Sequence, residues 1–319
     1  MKWHFWPEQT IRQSYAANLA GLRLTSKLVY MKTRTGNFPI GFRRGGSDWQ
    51  KDMTGLLKWT KQNNLSCIDL GRDADQIGQQ VVDAGLKLGS LDLKSWEGML
   101  SANKDTRAKA VADNAAYIKA CAKLGPMNYF VVMLPENADL PRAKNFGYMV
   151  ESYKALAPVL EENNAHMVIE GWPGNGALCC TPEGYRALFE QVPSKAMGVN
   201  YDPSHLLRMG IDPLRFLREF LPRVHHVHGK DTELLGENLY EYGHEQPPTF
   251  GKPIAFGNMA WRYTIPGHGV VRWVEVMRLL QVHGYAGMVS IELEDANFNG
   301  NTAGEQQGIL LGAQYLAGV

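Results

Sequence analysis

Four acidic or imidazole residues each close a short apolar run: Glu170 after Met167-Val168-Ile169, Asp202 after Gly198-Val199-Asn200-Tyr201, His228 at the end of Val224-His225-His226-Val227, and Glu292 after Met288-Val289-Ser290-Ile291. Short β-branched runs between helical patterns read as strands buried on both faces. Each of the four side chains then sits where a strand passes into its loop. Three carboxylates and one imidazole on neighbouring parallel strands converge on a point that is strongly anionic without a cation. Hard oxygen donors with one nitrogen suit one divalent ion, Mn²⁺, Mg²⁺, Co²⁺ or Zn²⁺. Such an ion holds adjacent oxygens of a polyol or ketose and acidifies a C–H beside a carbonyl. Glu170 and Glu292, on opposite sides of the pocket, then take a proton from one face and return it to the other, making an epimer or an aldose/ketose isomer.

The flanking residues fit a small polar ligand. Glu170 opens Gly171-Trp172-Pro173-Gly174-Asn175-Gly176, where dense glycine permits close backbone approach and Trp172 is either a flat wall for a sugar ring or a packed core aromatic. His205, three residues past Asp202, either shares the substrate or fills its loop. In Val224–His228 the side chains alternate, so His226 and His228 face one way and His225 the other, with His226 deeper. Lys230 either steadies a substrate oxygen or pairs with Asp231. Glu294 shares a face with Glu292 and supports it from behind.

The elements that position these residues alternate regularly. Residues 1–37, with Trp3, Phe5, Trp6, Lys27, Lys32 and Arg34, have no clean period and read as an arm packed on the main body or on a partner. From Phe38 the chain reads strand 38–42, helix to Asn64, strand 66–70, helix 74–84, strand 87–93, helix 106–124, strand 129–134 and helix 145–164. Four further units pair strand 166–170 with helix 182–191, 197–202 with 213–221, 224–228 with 270–283, and 287–292 with 303–317. Eight right-handed strand–helix alternations close most simply into a single-domain (β/α)8 TIM barrel over 38–319. An open dinucleotide-binding sheet is disfavoured, because no GxGxxG follows an early strand. Residues 233–269 form one long insertion after the seventh strand, placed to act as a lid or substrate wall.

Bulk properties narrow the partners. A net charge of +1 over 319 residues gives no basic field for nucleic acid and no patch for a membrane surface. Cys67, Cys121, Cys179 and Cys180 show no CxxC spacing, which suits reduced thiols and a cytoplasmic protein. A small carbohydrate substrate and a homo-oligomer are the expected partners.

The segments Asn200-Tyr201-Asp202-Pro203-Ser204-His205-Leu206, His226-Val227-His228-Gly229-Lys230-Asp231-Thr232, Trp261–Gly269, Gly284-Tyr285 and Ser290-Ile291-Glu292-Leu293-Glu294-Asp295 resemble the sugar phosphate isomerase/epimerase proteins of the xylose isomerase-like TIM barrel superfamily. That resemblance implies one divalent ion, Mn²⁺ foremost, on Glu170, Asp202, His228 and Glu292. It also implies an acid/base pair of Glu170 and Glu292 and a substrate contact from His205; Trp172, Lys230, Arg262 and His268 are the other expected substrate contacts. The ketose 3-epimerases of the superfamily carry an arginine a few residues past the histidine ligand, where this chain reads Lys230-Asp231-Thr232-Glu233. Relatives that cleave 3-keto-glycosides use the same carbon-acid chemistry, so a lyase or deglycosidase is the alternative. A non-catalytic sugar-binding or partner subunit is the reading from another class. The three-zinc, endonuclease IV-like branch is disfavoured, since the second and third strands end in Asp69-Leu70-Gly71-Arg72 and Leu93-Lys94-Ser95-Trp96 without histidine.

Overall fold

The computed structural model describes residues 30–319. Its strands are β1 Ile40–Arg43, β2 Cys67–Leu70, β3 Lys87–Asp92, β4 Asn128–Val132, β5 His166–Glu170, β6 Met197–Tyr201, β7 Val224–Gly229, β8 Asp231–Leu234, β9 Trp261–Thr264 and β10 Val289–Ile291. Eight of them form a closed parallel barrel in the order β1-β10-β7-β6-β5-β4-β3-β2, while β8 and β9 form a separate antiparallel pair. Each barrel strand thus lies beside its predecessor, as short right-handed crossovers require.

The strands are apolar on both faces because one face fills the barrel and the other meets the helix ring. Ile40, Phe42, Ile68, Leu91, Val131, Ile169, Val199, Val227, Val289 and Ile291 are all wholly or almost wholly buried. The helices are one-sided. Pro213–Phe220 is started by Asp212, which accepts from the amides of Leu214 and Arg215, and it buries Leu214, Phe216, Leu217 and Phe220 while its charged residues face out. Each such buried side chain contributes about 1.5–3 kcal/mol. Arg142–Glu162 buries Met149, Val150, Tyr153, Leu156 and Leu160 in the same way.

The lower, N-terminal pole of the barrel is crossed by residues 30–39. Met31 N donates to Asn64 O, Ser66 Oγ donates to Met31 O, and Thr35 N donates to Val319 O. The arm expected over 1–37 otherwise lies outside the described residues. No helix among the described residues is long and apolar enough to cross a membrane.

Three local differences from the sequence expectation have physical causes. The helix expected to run to Asn64 is two pieces, Asp48–Lys51 and Met53–Gln62, because Asp52 leaves helical geometry to cap the second by accepting from Gly55 N. Helix Pro203–Arg208, too short to show a period, follows Asp202 directly. The insertion after the seventh strand opens as the β8/β9 hairpin, with Asp231 opposite Thr264 and Leu234 opposite Trp261. Helix Gly236–Tyr242 lies within its loop.

Candidate metal centre

At the C-terminal pole, Glu170 ends β5, Asp202 follows β6, His228 lies on β7 and Glu292 follows β10. Each contributes one donor atom to a group whose atoms all lie within 4.8 Å of one another. His228 Nδ1 is 2.7 Å from Glu170 Oε2, 3.4 Å from Glu292 Oε2 and 4.0 Å from Asp202 Oδ2. Donors about 2.1 Å from a common ion lie about 3 Å apart at right angles and about 4 Å apart across it, the range these three distances span.

Local structure leaves these atoms free. Asp202 caps helix Pro203–Arg208 with Oδ1 alone, accepting from Ser204 N at 2.9 Å and Ser204 Oγ at 2.6 Å. Its Oδ2 and both ring nitrogens of His228 are buried without an aligned hydrogen-bond partner. Buried polar atoms are seldom left so, and here all but His228 Nε2 face the same point. The donor set, the spacing and the unpartnered atoms together fit a divalent ion.

Positive charge already gathers there. Lys230 is buried, with Nζ 2.5 Å from Glu292 Oε2, 2.9 Å from Glu294 Oε2 and 3.3 Å from Asp202 Oδ2. Burial disfavours its ammonium, but the charges of Asp202, Glu292 and Glu294 hold its pKa well above the ordinary lysine value. His228 behaves alike: burial opposes its charge, and Glu292 and Glu170 raise it well above the usual imidazole range. Burial and the charge of Glu292 push the Glu170 carboxyl up, while His228 and hydrogen bonding from His205 bring it below the usual carboxylate range. For Glu292 burial is likewise outweighed by Lys230, His228 and Arg43, which hold it well below that range.

His205 is buried, with Nε2 3.3 Å from Glu170 Oε1 and 3.3 Å from Lys230 Nζ. On its other side Nδ1 lies 2.6 Å from the Tyr263 hydroxyl, which also accepts from Arg208 Nη1 at 2.6 Å. The hairpin therefore forms one wall of the site. His226 lies below His228 with its ring edge-on, and His225 points away to stack on His166.

The remaining expected residues divide. Lys230 does not pair with Asp231. That carboxylate accepts from the amides of Thr232, Gly267 and Val271 and from Trp273 Nε1, fixing the return of the insertion. Arg262 is held by Glu233 at 2.6 Å and Asp295 at 3.4 Å, which turns its guanidinium to protein carboxylates rather than to the cluster. His268 is exposed in the turn after β9, where its amide donates to Ile265 O, and it stays outside the cluster. Trp172 is half-buried and lies over Gly174 of its own loop, where a Cβ would meet the indole at 2.0 Å.

Several contributors escaped the sequence reading. Asn200 Nδ2 donates to Glu170 Oε2 at 2.8 Å. Arg43 Nε lies 3.2 Å from Glu292 Oε1, and Asp69 Oδ2 lies 2.8 Å from His226 Nε2. The one available signal was a charged residue inside an otherwise apolar strand, as at Asp69 and Arg43.

The family model described as xylose isomerase-like TIM barrel matches residues 57–316. The chain belongs to this family. Among relatives of this xylose isomerase-like barrel is the uncharacterized protein YfiH of Bacillus subtilis (strain 168), 39% identical over 101 residues, 31% of each chain. An inosose dehydratase of Bacillus thuringiensis (strain Al Hakam) is 26% identical over 163 residues, 51% of this chain and 52% of the relative. The matches thus span about a third to a half of the length of these relatives. Among solved structures, the apo form of the E. coli 3-keto-D-glucoside 4-epimerase YcjR superposes with a TM-score of 0.64 at 13% identity, covering 88% of this chain and 98% of that one. That likeness concerns the fold.

Proposed function

We propose that this chain is a divalent-metal-dependent enzyme that removes and returns a carbon-bound proton beside the carbonyl of a sugar, keto-sugar or cyclitol, giving an isomer or epimer. The observation carrying this reading is the convergence of Glu170, Asp202, His228 and Glu292, with the two glutamates 2.7 and 3.4 Å from His228 Nδ1. Bound there, a divalent ion, Mn²⁺ by preference, supplies Lewis acidity to the substrate oxygens. Glu170, oriented by Asn200 and facing His205, takes the proton. Glu292 returns one from the opposite side. Lys230 and His205 hold the substrate oxygens and keep water from the carbon centre.

A second reading is elimination, and the placement of Lys230 favours it. Its ammonium is fixed between Glu292 and Glu294 and faces His205 beside Glu170. In that reaction Glu170 takes the α-proton, the C–O bond at the β-carbon breaks, and Lys230 gives a proton to the departing oxygen, releasing water or an aglycone. The similarity to inosose dehydratases points the same way.

The test is incubation with Mn²⁺ in D₂O of an inosose, a 3-keto-glucoside and a free ketohexose, followed by mass spectrometry. Deuterium in an intact sugar supports epimerisation or isomerisation, and loss of water or aglycone supports elimination. Absence of exchange and of loss with every substrate class contradicts both.

A further inference from the structure

We infer that Asp69, on the half of the barrel that supplies no ligand, is the positioning residue that sets which nitrogen of His228 faces the ion. The inference rests on the metal reading above. Asp69 is wholly buried inside the barrel. Its Oδ1 accepts from Ser90 N at 3.0 Å and Ser290 Oγ at 2.8 Å, tying it to β3 and β10. Its Oδ2 lies 2.8 Å from His226 Nε2 and 3.5 Å from His228 Nε2. An ionised carboxylate only accepts, so the ring hydrogen of His226 belongs on Nε2, and the carboxylate charge 3.5 Å from His228 Nε2, though not aligned as a hydrogen bond, favours the hydrogen on that nitrogen too. The lone pair of neutral His228 is then on Nδ1, the nitrogen that faces Glu170, Glu292 and Asp202.

The barrel is built around this carboxylate. At Gly89 a Cβ would lie 1.9 Å from Asp69 Oδ1 and 3.0 Å from His226 Cε1. Any side chain at 89 therefore displaces the Asp69 carboxylate. Phe130 stacks on the His228 ring at 5.4 Å and 24°, fixing its plane while Asp69 fixes its sense. A buried carboxylate facing two histidines costs desolvation and is retained where it orients something.

The test uses the full chain, stripped with a chelator and titrated with Zn²⁺ against a chromophoric competitor. Asp69→Asn keeps the volume but has one oxygen where Asp69 has two, so its amide NH2 faces either the Ser90 N–H donor or both imidazoles, and in either orientation the negative charge beside His228 is lost. We expect Zn²⁺ affinity to fall about 10–100-fold, with thermal unfolding of the metal-free variant close to that of the parent. Unchanged affinity overturns the inference while leaving the metal reading standing, whereas a parent chain that binds no Zn²⁺ overturns both. Should Asp69→Asn not fold, long-range ¹H–¹⁵N correlation on the Zn²⁺-loaded parent decides. A proton on Nε2 of His228 supports the assignment, and a proton on Nδ1 overturns it.

Discussion

The two halves of the barrel do different work. Strands β5, β6, β7 and β10 carry, at or just past their ends, the four residues that converge on one point. Strands β1 to β4 contribute no member of that set and instead hold its members from behind. Arg43 on β1 touches Glu292 at 3.2 Å and is gripped by both oxygens of Asp92 on β3, at 2.7 and 3.1 Å. Its guanidinium lies 4.3 Å over the ring of Phe130 on β4, whose ring stacks on His228. Asp69 on β2 faces His226 and His228. The first half is largely neutralised in pairs, whereas the second gathers three carboxylates around one imidazole and one ammonium. An anionic cluster is mechanically useful only when something else fixes its geometry, and here the other half of the barrel does so.

The division can be broken or sharpened by mutation. Glu170→Gln should give the largest effect, a loss of about 10²–10⁴-fold in deuterium exchange, with circular dichroism unchanged. Near-parental exchange in that variant would move the base elsewhere. His205→Ala should lower kcat by about 10²-fold while metal content, measured by plasma emission, stays at the parental level. A metal-free variant would make His205 a ligand. Arg43→Met, in the supporting half, should weaken metal affinity or kcat by about 10-fold. If its effect equals that of Glu170→Gln, the two halves are not functionally distinct.

The smallest effect concerns pH. Glu170 and Glu292 lie below their ordinary value in the folded metal-free chain, so their contribution to stability is complete above about pH 4.5 and is lost as pH falls through their folded values. His228 lies above its ordinary value, so its contribution is complete below about pH 6.5 and fades as pH rises through its folded value. Metal uptake near neutrality should accordingly release protons, and affinity should fall on acidification. Calorimetry in two buffers of different ionisation enthalpy reads the proton count, and a count of zero contradicts the charged state of His228.

The fold was legible because strand and helix patterns alternate eight times, interrupted only by the insertion after the seventh strand, and strands buried on both faces leave few readings for such runs. The convergence of Glu170, Asp202, His228 and Glu292 was legible because each closes an apolar run at its end, where a barrel places chemistry. The β8/β9 hairpin was hidden, since four-residue strands within a Gly-, Pro- and Tyr-rich insertion show no measurable period. Tyr263 and its contact to His205 were hidden with it. Lys230 was assigned either a substrate oxygen or its sequence neighbour Asp231, and the fold supplied other partners from just past β6 and from the loop after β10. Asp69 and Arg43 act through contacts 157 and 249 residues away in the chain, which no local pattern encodes.

The most direct test is anomalous diffraction from a crystal of the full chain soaked in Mn²⁺. The account predicts one strong peak within bonding distance of Glu170, Asp202, His228 Nδ1 and Glu292, with Lys230 drawn back from Glu292. A cluster that stays empty at saturating Mn²⁺, or a peak bonded to His228 through Nε2, contradicts it.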